Sequence, residues 1–213
     1  NLSAMKSALE AAVKLAERYR ALAEKLAEKA KGEQKEQFQE IARILGRVPA
    51  FGAAGLREAI QSFILLWQVM CVEQAPNPFA FSVGNADRIF EPYRAMDNAS
   101  REDAAALFSH LLVFFNVGDR SWAISQNLII SGRSVDGADL TNLTSYALLD
   151  AYYQMNLPQP ILSVKLHKET PAKLYEELGK FFFTPGCLTP SMFNDDSMLP
   201  VLIGSGVDPQ DAQ

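Results

Sequence analysis

Few side chains in this sequence could act as nucleophiles or metal ligands, and they are scattered along it. The two cysteines are Cys71 and Cys187, and the two histidines are His110 and His167. None of these residues lies within a few positions of another, as the ligands of a zinc site usually do. The sequence therefore predicts no metal site and no disulfide framework.

Neither cysteine has the surroundings of a reactive thiol. Cys71 follows Trp67 and Met70 in an apolar segment, which favours a small buried hydrophobic residue over a thiolate. Cys187 follows Pro185 and Gly186 in a loop, with no basic side chain within five residues to stabilise a thiolate. The residues alone thus predict no catalytic group.

Two further patterns have simple structural interpretations. Gly132 and Gly137 have the spacing of a phosphate-binding loop, but Ala138 and Asp139 stand where that loop needs lysine and serine or threonine. A tight turn between a strand and a helix explains the two glycines better. The adjacent pair Asp195-Asp196 follows a predicted strand, where a helix cap is the favoured role.

Composition and charge exclude several classes of function. The chain has 213 residues, of which 48% are hydrophobic, enough for one large domain or part of a larger one. Its net charge of −5 and pI near 5.1 argue against a nucleic-acid partner. No apolar run of about 18 residues and no signal peptide is present, so we expect a cytoplasmic protein that does not enter a membrane.

Apolar residues recur at steps of three and four in the first half of the chain. This spacing predicts helices over 4–31, 33–46, 55–74, 85–96 and 101–117. The third helix is almost wholly apolar and is expected deep in the core. Packing against its own domain is favoured over a coiled coil for the first helix, whose apolar stripe comprises Met5, Leu9, Ala12, Ala16, Tyr19, Leu22 and Leu26.

The second half alternates strands and helices. Strands are predicted over 124–130, 161–166 and 191–194, and helices over 139–156, 171–183 and 196–204. Repetition of strand, helix and strand with short loops indicates parallel strands covered by helices. The predicted fold class is a helix-rich α/β structure, mainly helical over 1–120 and a partial parallel half-barrel over 121–213.

Several segments, in order, resemble motifs of the glycyl radical enzymes, the pyruvate formate-lyase-like family. The resemblance covers about residues 10–213. Its segments are Arg57–Phe63, Ser82–Gly84 with Asp87 and Pro92-Tyr93, Asp136–Thr144, Pro158–Lys165, Pro190–Asp196 and Gly206–Ala212. The resemblance implies a ten-stranded α/β barrel made of two half-barrels of parallel strands. This chain would supply helical wrapping and part of the first half.

The resemblance also implies radical chemistry on a small-molecule substrate. Members of the family store a radical on a glycine, which a radical S-adenosylmethionine activase installs under anaerobic conditions. A cysteine takes over that radical and attacks the substrate, in lyases, dehydratases or the acyltransfer of formate acetyltransferase. No other bound cofactor is expected, and the family commonly forms homodimers.

Neither Cys71 nor Cys187 stands at the position of the family's reactive cysteine, which would follow a segment like Gly206–Ala212. We therefore expect this chain to be a portion of a glycyl radical enzyme, inactive alone, with the reactive cysteine and the radical glycine beyond Gln213. The alternative is a non-catalytic or split-enzyme subunit that binds a partner chain supplying both residues.

Three substrate-binding residues follow from the resemblance. Phe79 and Ala80 occupy the positions of a histidine-serine pair in the dehydratase branch and of two alanines in the formate-lyase branch. That second branch has an arginine where this chain has Asn85. Trp122 resembles a tryptophan of the pyruvate pocket, although a buried tryptophan ahead of a strand is an equally good interpretation. The substrate subclass stays open.

Overall fold

The computed structural model describes residues 1–73, 82–116 and 126–212, and its residues form two compact units, Asn1–Pro78 and Phe79–Gln213. The elements, in chain order, are α1 (Leu2–Lys29), α2 (Gly32–Leu45), α3 (Leu56–Glu73), β1 (Gly84–Asn85), α4 (Ala86–Asp97), α5 (Arg101–Phe114), β2 (Asn127–Ser131), α6 (Leu143–Met155), β3 (Ile161–Leu166), α7 (Ala172–Phe183), β4 (Ser191–Asn194) and α8 (Asp195–Gly204). The helix-rich α/β class with parallel strands is confirmed. The subdivision at residues 120 and 121 stays a prediction.

In the N-terminal unit, α1 and α2 form a hairpin whose contact surface differs from the predicted stripe. The buried residues of α1 are all alanines: Ala12, Ala16, Ala23 and Ala27. The larger members of that stripe, including Leu9 and Leu22, stay exposed. Ala12 and Ala16 are buried as the stripe predicts, but further along the helix Ala23 and Ala27 are buried in place of Leu22 and Leu26. Small side chains let two helix backbones approach closely.

Helix α3 is less buried than its composition predicts. Leu56, Ile60 and Leu65 are buried, but Val72 is 78% exposed among the described residues. Its first turn is fixed by the buried Glu58 carboxylate, which accepts hydrogen bonds from the Ala54 amide at 2.8 Å and from the exposed Arg43 guanidinium at 2.9 Å. An acidic side chain in the first turn is favoured because it satisfies free amide groups and the helix dipole.

The C-terminal unit contains a four-stranded sheet in the order β1-β2-β3-β4, with every neighbouring pair parallel. Parallel strands require crossover connections, and α6 and α7 follow β2 and β3 as such connections should. Strand β2 begins at Asn127, and the predicted start at Ile124 lies outside the described residues. No helix in the described ranges is long and apolar enough to cross a membrane.

One face of this sheet is aliphatic and belongs to the core. Leu128, Ile130, Leu162 and Val164 alternate along β2 and β3, and each is at most 1% exposed. Helix α4 contacts β2, and α6 contacts α4, α5 and α7, so these helices form a layer beside the sheet. Their buried side chains complete the core and include Phe90, Phe108, Leu111, Leu148, Leu174 and Phe181.

Asp87, fully buried, ties three elements of this unit together. Its Oδ2 accepts hydrogen bonds of 2.6 Å from the amide of Ser131, at the end of β2, and from the hydroxyl of Ser145, in the first turn of α6.

Asn142 caps α6 through a reciprocal pair of bonds with Ser145, which explains why this helix begins at Leu143 rather than near the predicted residue 139.

Burial raises the pKa of the Asp87 carboxyl, and its hydrogen bonds oppose this shift without reversing it. The folded protein therefore binds this proton more tightly than the unfolded chain, whose aspartates titrate near about 3.9. The contribution of Asp87 to stability is largest below the unfolded pKa and declines as the pH rises through the folded pKa.

We expect the free energy of unfolding of the wild type, measured against Asp87→Asn by urea denaturation, to fall as the pH rises from about 4 to 7. The comparison isolates Asp87 because all other titrating groups are shared. Glu176→Gln, which removes a carboxylate from an exposed site on α7, is the charge-matched control. Parallel pH profiles for the wild type and the Asp87 variant would contradict the assignment.

Candidate functional site

The second face of the sheet is polar, which is unusual for parallel strands. Residues paired across neighbouring parallel strands share a face, so Asn85, Ile129, Ser163 and Ser191 form one row. The adjoining rows are Asn127 with Ile161, and Ser131 with Lys165 and Phe193. Parallel sheets are usually aliphatic on both faces because both are buried by helices. A polar face therefore indicates the lining of a chamber for a polar ligand.

A cavity of about 280 Å³ lies on this polar face, and we call it the lumen cavity. Its lining from the strands consists of Asn85, Asn127, Ile129, Ser163, Lys165 and Phe193. Asp195, Met198, Leu199 and Leu202 of α8, together with Ala212, form the remaining wall. The volume lies just below the range of about 300–1,000 Å³ typical of small-molecule pockets.

Asp195 is the charged centre of the lumen cavity. It is fully buried, its Oδ2 accepts a hydrogen bond of 3.0 Å from the Arg133 amide, and its Oδ1 lies 3.3 Å from the Lys165 ammonium. The side chain of Lys165 is only 14% exposed. A buried ion pair of this kind is held by its mutual attraction, since either charge alone would be costly to bury.

Asp196 joins the ends of the same strands from outside the cavity. Its carboxylate accepts hydrogen bonds from the Lys168 amide at 2.7 Å and from the Arg133 guanidinium at 2.8 Å. The prediction that one of the two aspartates caps the helix is wrong, because the Asn194 side chain accepts the bond from the Asp196 amide. Both carboxylates are thus free to link strand ends.

The segment after β2 is a compact turn that depends on glycine. Gly132 and Gly137 have φ values of +102° and +90°, so the turn interpretation of these glycines is confirmed. A Cβ atom on Gly132 would lie 2.8 Å from Asp195 Oδ2. The turn also brings Asp139 to within 3.0 Å of His167 Nε2, and that histidine is buried. No group of three or more candidate metal ligands occurs among the described residues.

Two larger grooves lie in the N-terminal unit, but their linings suit a ligand less well. One, of about 650 Å³, is lined largely by exposed charged groups, of which Arg20 and Glu24 pair with each other. The other, of about 840 Å³, is an open apolar groove along α1. The lumen cavity lies on the polar face of the parallel sheet, so it is the better candidate site.

The residues that line the lumen cavity were predicted from the sequence only in part. Phe79, Ala80 and Trp122 lie outside the described residues, so their predicted contacts with substrate stay predictions. Asn85, noted as a departure from the family pattern, does line the cavity. The other lining residues were missed, although polar residues at alternate positions of β2 and β3 were a usable signal.

The whole chain, residues 1–213, matches the model of a protein family described as pyruvate formate lyase-like. This chain belongs to that family. A glycyl radical enzyme from Archaeoglobus fulgidus superposes with a TM-score of 0.86 at 29% identity, over 95% of this chain and 28% of its own. The chain therefore has the fold of the glycyl radical enzymes, and the sequence-based recognition of the family is confirmed.

Two further relatives indicate the range of the family. The trans-4-hydroxy-L-proline dehydratase of Clostridioides difficile is 29% identical, aligned over 100% of this chain and 29% of its own length. A structure concerned with 1,2-propanediol dehydration in Roseburia inulinivorans has a TM-score of 0.88 and 29% identity, over 97% of this chain and 28% of its own. The present chain thus spans under a third of the length of these relatives.

We expect Gly132→Ala to destabilise the C-terminal unit by about 3 kcal/mol, because the new methyl group adds a collision with Asp195 to backbone strain. Gly186→Ala is the matched control, since Gly186 also has a positive φ but open space around its Cβ position. That variant should lose only about 1–2 kcal/mol. Equal losses in urea denaturation would show that the contact with Asp195 is unimportant.

Proposed function

We propose that this chain builds one wall of the substrate chamber of a glycyl radical lyase or dehydratase. The observation that carries the proposal is the polar face of an otherwise aliphatic parallel sheet, in a chain of the pyruvate formate lyase-like family. The lumen cavity on that face combines polar groups for orientation with apolar contacts from Ile129 and Phe193. Small-molecule sites commonly have this mixture.

The names of the relatives support dehydration or a related elimination over formate acetyl transfer. One relative is a dehydratase of trans-4-hydroxy-L-proline, and another structure concerns dehydration of 1,2-propanediol. In the lumen cavity the neutral Asn85 replaces an arginine of the formate-lyase branch. We extend the proposal to Phe79, Ala80 and Trp122 as further substrate contacts.

Neither cysteine of this chain is suited to attack a substrate in the lumen cavity. Cys71 lies in α3 of the N-terminal unit, and burial raises the pKa of its thiol. Cys187 lies between α7 and β4, does not line the cavity, and directs its Sγ to the Leu188 carbonyl at 3.6 Å. We therefore assign the reactive cysteine to polypeptide other than these 213 residues, and we assign the radical glycine there as well because the family resemblance implies that position.

We also propose the activation, cellular location and oligomeric state that the family implies. Activation would require a radical S-adenosylmethionine activase, and the enzyme would work anaerobically in the cytoplasm as a homodimer. The residues of this chain would bind and orient the substrate.

We expect the purified 213-residue chain, incubated with an activase and reductant under anaerobic conditions, to develop no glycyl radical signal in electron spin resonance. It should also catalyse no elimination reaction of 1,2-propanediol or trans-4-hydroxy-L-proline. A full-length dehydratase of the family, treated in parallel, is the positive control. A radical doublet or turnover by this chain alone would overturn the assignment of both reactive residues to other polypeptide.

A second candidate function, a split-enzyme subunit, is favoured by β4. All four residues of this strand are exposed, and it has no neighbour on its outer side among the described residues. An open strand edge can pair with another chain. Recovery of a discrete partner that restores a radical signal, identified by native mass spectrometry, would support this function over the first.

A further inference from the structure

The first part of α1 extends beyond the helix that packs against it. Helix α1 has 28 residues and α2 has 14, so at 1.5 Å per residue they are about 42 Å and 21 Å long. Leu45, the last residue of α2, belongs to one buried cluster with Ala16 of α1. Helix α2 therefore lies beside the second half of α1, and residues 1–10 are all exposed.

Three large apolar side chains lie on this exposed part of α1. Leu2, Met5 and Leu9 are 83%, 60% and 64% exposed. Their spacing of three and four residues places them on one helix face, together with the buried Ala12 and Ala16. The face that packs against α2 thus continues as an apolar stripe past the end of α2.

This stripe forms one side of the open groove of about 840 Å³, which we call the α1 groove. Val13 of α1, Pro49 and Leu66 of α3 also line it. An exposed apolar groove is a common sign of contact with another polypeptide. A groove that follows a helix is suited to a second helix lying along it.

The charged residues of the α1 groove alternate in sign. They follow one another at steps of four, four and three residues, are all exposed, and comprise Lys6, Glu10, Lys14 and Glu17. These steps place them along one edge of the helix, beside the apolar stripe. Lys6 and Glu10 lie 3.7 Å apart, whereas Lys14 and Glu17 form no ion pair within the described ranges.

This order of charges is complementary to itself when it is reversed. In an antiparallel pair of α1 helices with a two-fold axis near Ala12, Lys6 of one copy faces Glu17 of the other. Along the helix, Lys6 is about 9 Å and Glu17 about 8 Å from that axis, so the two charges lie almost level. Glu10 faces Lys14 in the same way. A parallel pair in register would bring like charges together, which is unfavourable.

We propose that the α1 groove is an interface between two copies of this chain, whose α1 helices pack antiparallel about a two-fold axis near Ala12. Leu9 and Val13 lie at the centre of the contact, with ion pairs along its edge. A two-fold interface requires a self-complementary surface, and the alternating charges provide one. This inference assigns a surface to the homodimer of the proposed function and rests on that part of it.

The oligomeric state of the 213-residue chain is the first test. Sedimentation equilibrium between about 1 and 200 µM, a range suited to a modest helix-pair interface, should show a dimer that dissociates on dilution. A chain that stays monomeric throughout this range would overturn the inference. The groove would then be a contact surface for some other polypeptide.

Charge substitutions test the antiparallel arrangement. Lys14→Glu and Glu10→Lys each convert two attractive pairs of the dimer into repulsive ones, so each should weaken dimerisation about tenfold. The double variant should dimerise like the wild type, and the two single variants should form a heterodimer when mixed. Lys25→Glu, at an exposed site of α1 outside the groove, is the matched control. Failure of the double variant to recover would exclude the antiparallel pairing.

The apolar stripe is tested by Leu9→Gln, which should abolish the dimer over the same range. Leu22→Gln, at another exposed leucine of α1 that lies outside the groove, is the control and should dimerise like the wild type. Circular dichroism checks that each variant is folded.

A dimer that survives Leu9→Gln and both charge substitutions would use another surface, such as the edge of β4. That result would refute the α1 interface and leave the proposed homodimer intact. The spin-resonance experiment reports separately on the reactive residues, so failure of this inference and failure of that assignment are distinguishable.

Discussion

The hydrogen bond from the Arg133 amide to Asp195 is the contact on which the sheet edge and its cavity depend. It joins the turn after β2 to the start of α8, across the end of β3. The same carboxylate compensates Lys165, and the neighbouring Asp196 reaches the Lys168 amide. At the carboxyl ends of parallel strands, some backbone amides no longer pair with a neighbouring strand. The Asp195 and Asp196 carboxylates accept hydrogen bonds from two such amides and so stabilise this edge of the sheet.

One face of the sheet packs into the core, and the other lines the lumen cavity that we propose for substrate recognition. Leu128, Ile130, Leu162 and Val164 turn toward the core, while the alternate residues turn toward the lumen cavity. The period of two along a strand makes this division possible, since a change on one face leaves the packing of the other intact. Substitutions at Asn85 or Asn127 can therefore change the cavity lining without rebuilding the core.

Much of this fold could be predicted from sequence, because periodicity and helix caps act locally. The helices and the parallel strands follow from apolar spacing, and the glycines of the 132–137 turn follow from their permissive backbone. The alanine seam of α1 was predicted only in part: Ala12 and Ala16 belong to the predicted stripe, whereas Ala23 and Ala27 were missed because size ranks the neighbouring Leu22 and Leu26 above alanine as buried residues. The role of Asp195 was missed for a different reason: its partners Arg133 and Lys165 are distant in sequence, and only the strand register brings them together.

The order β1-β2-β3-β4 repeats the order of the strands along the chain. A sheet with this order can form one strand at a time during translation. Each new strand pairs with the strand made just before it, so no pairing depends on a strand that is made later. Helices α6 and α7 are each made between one strand and the next. Among the described residues β1 keeps one open edge at every stage, and the newest strand supplies the other, which is β4 at the last of these stages.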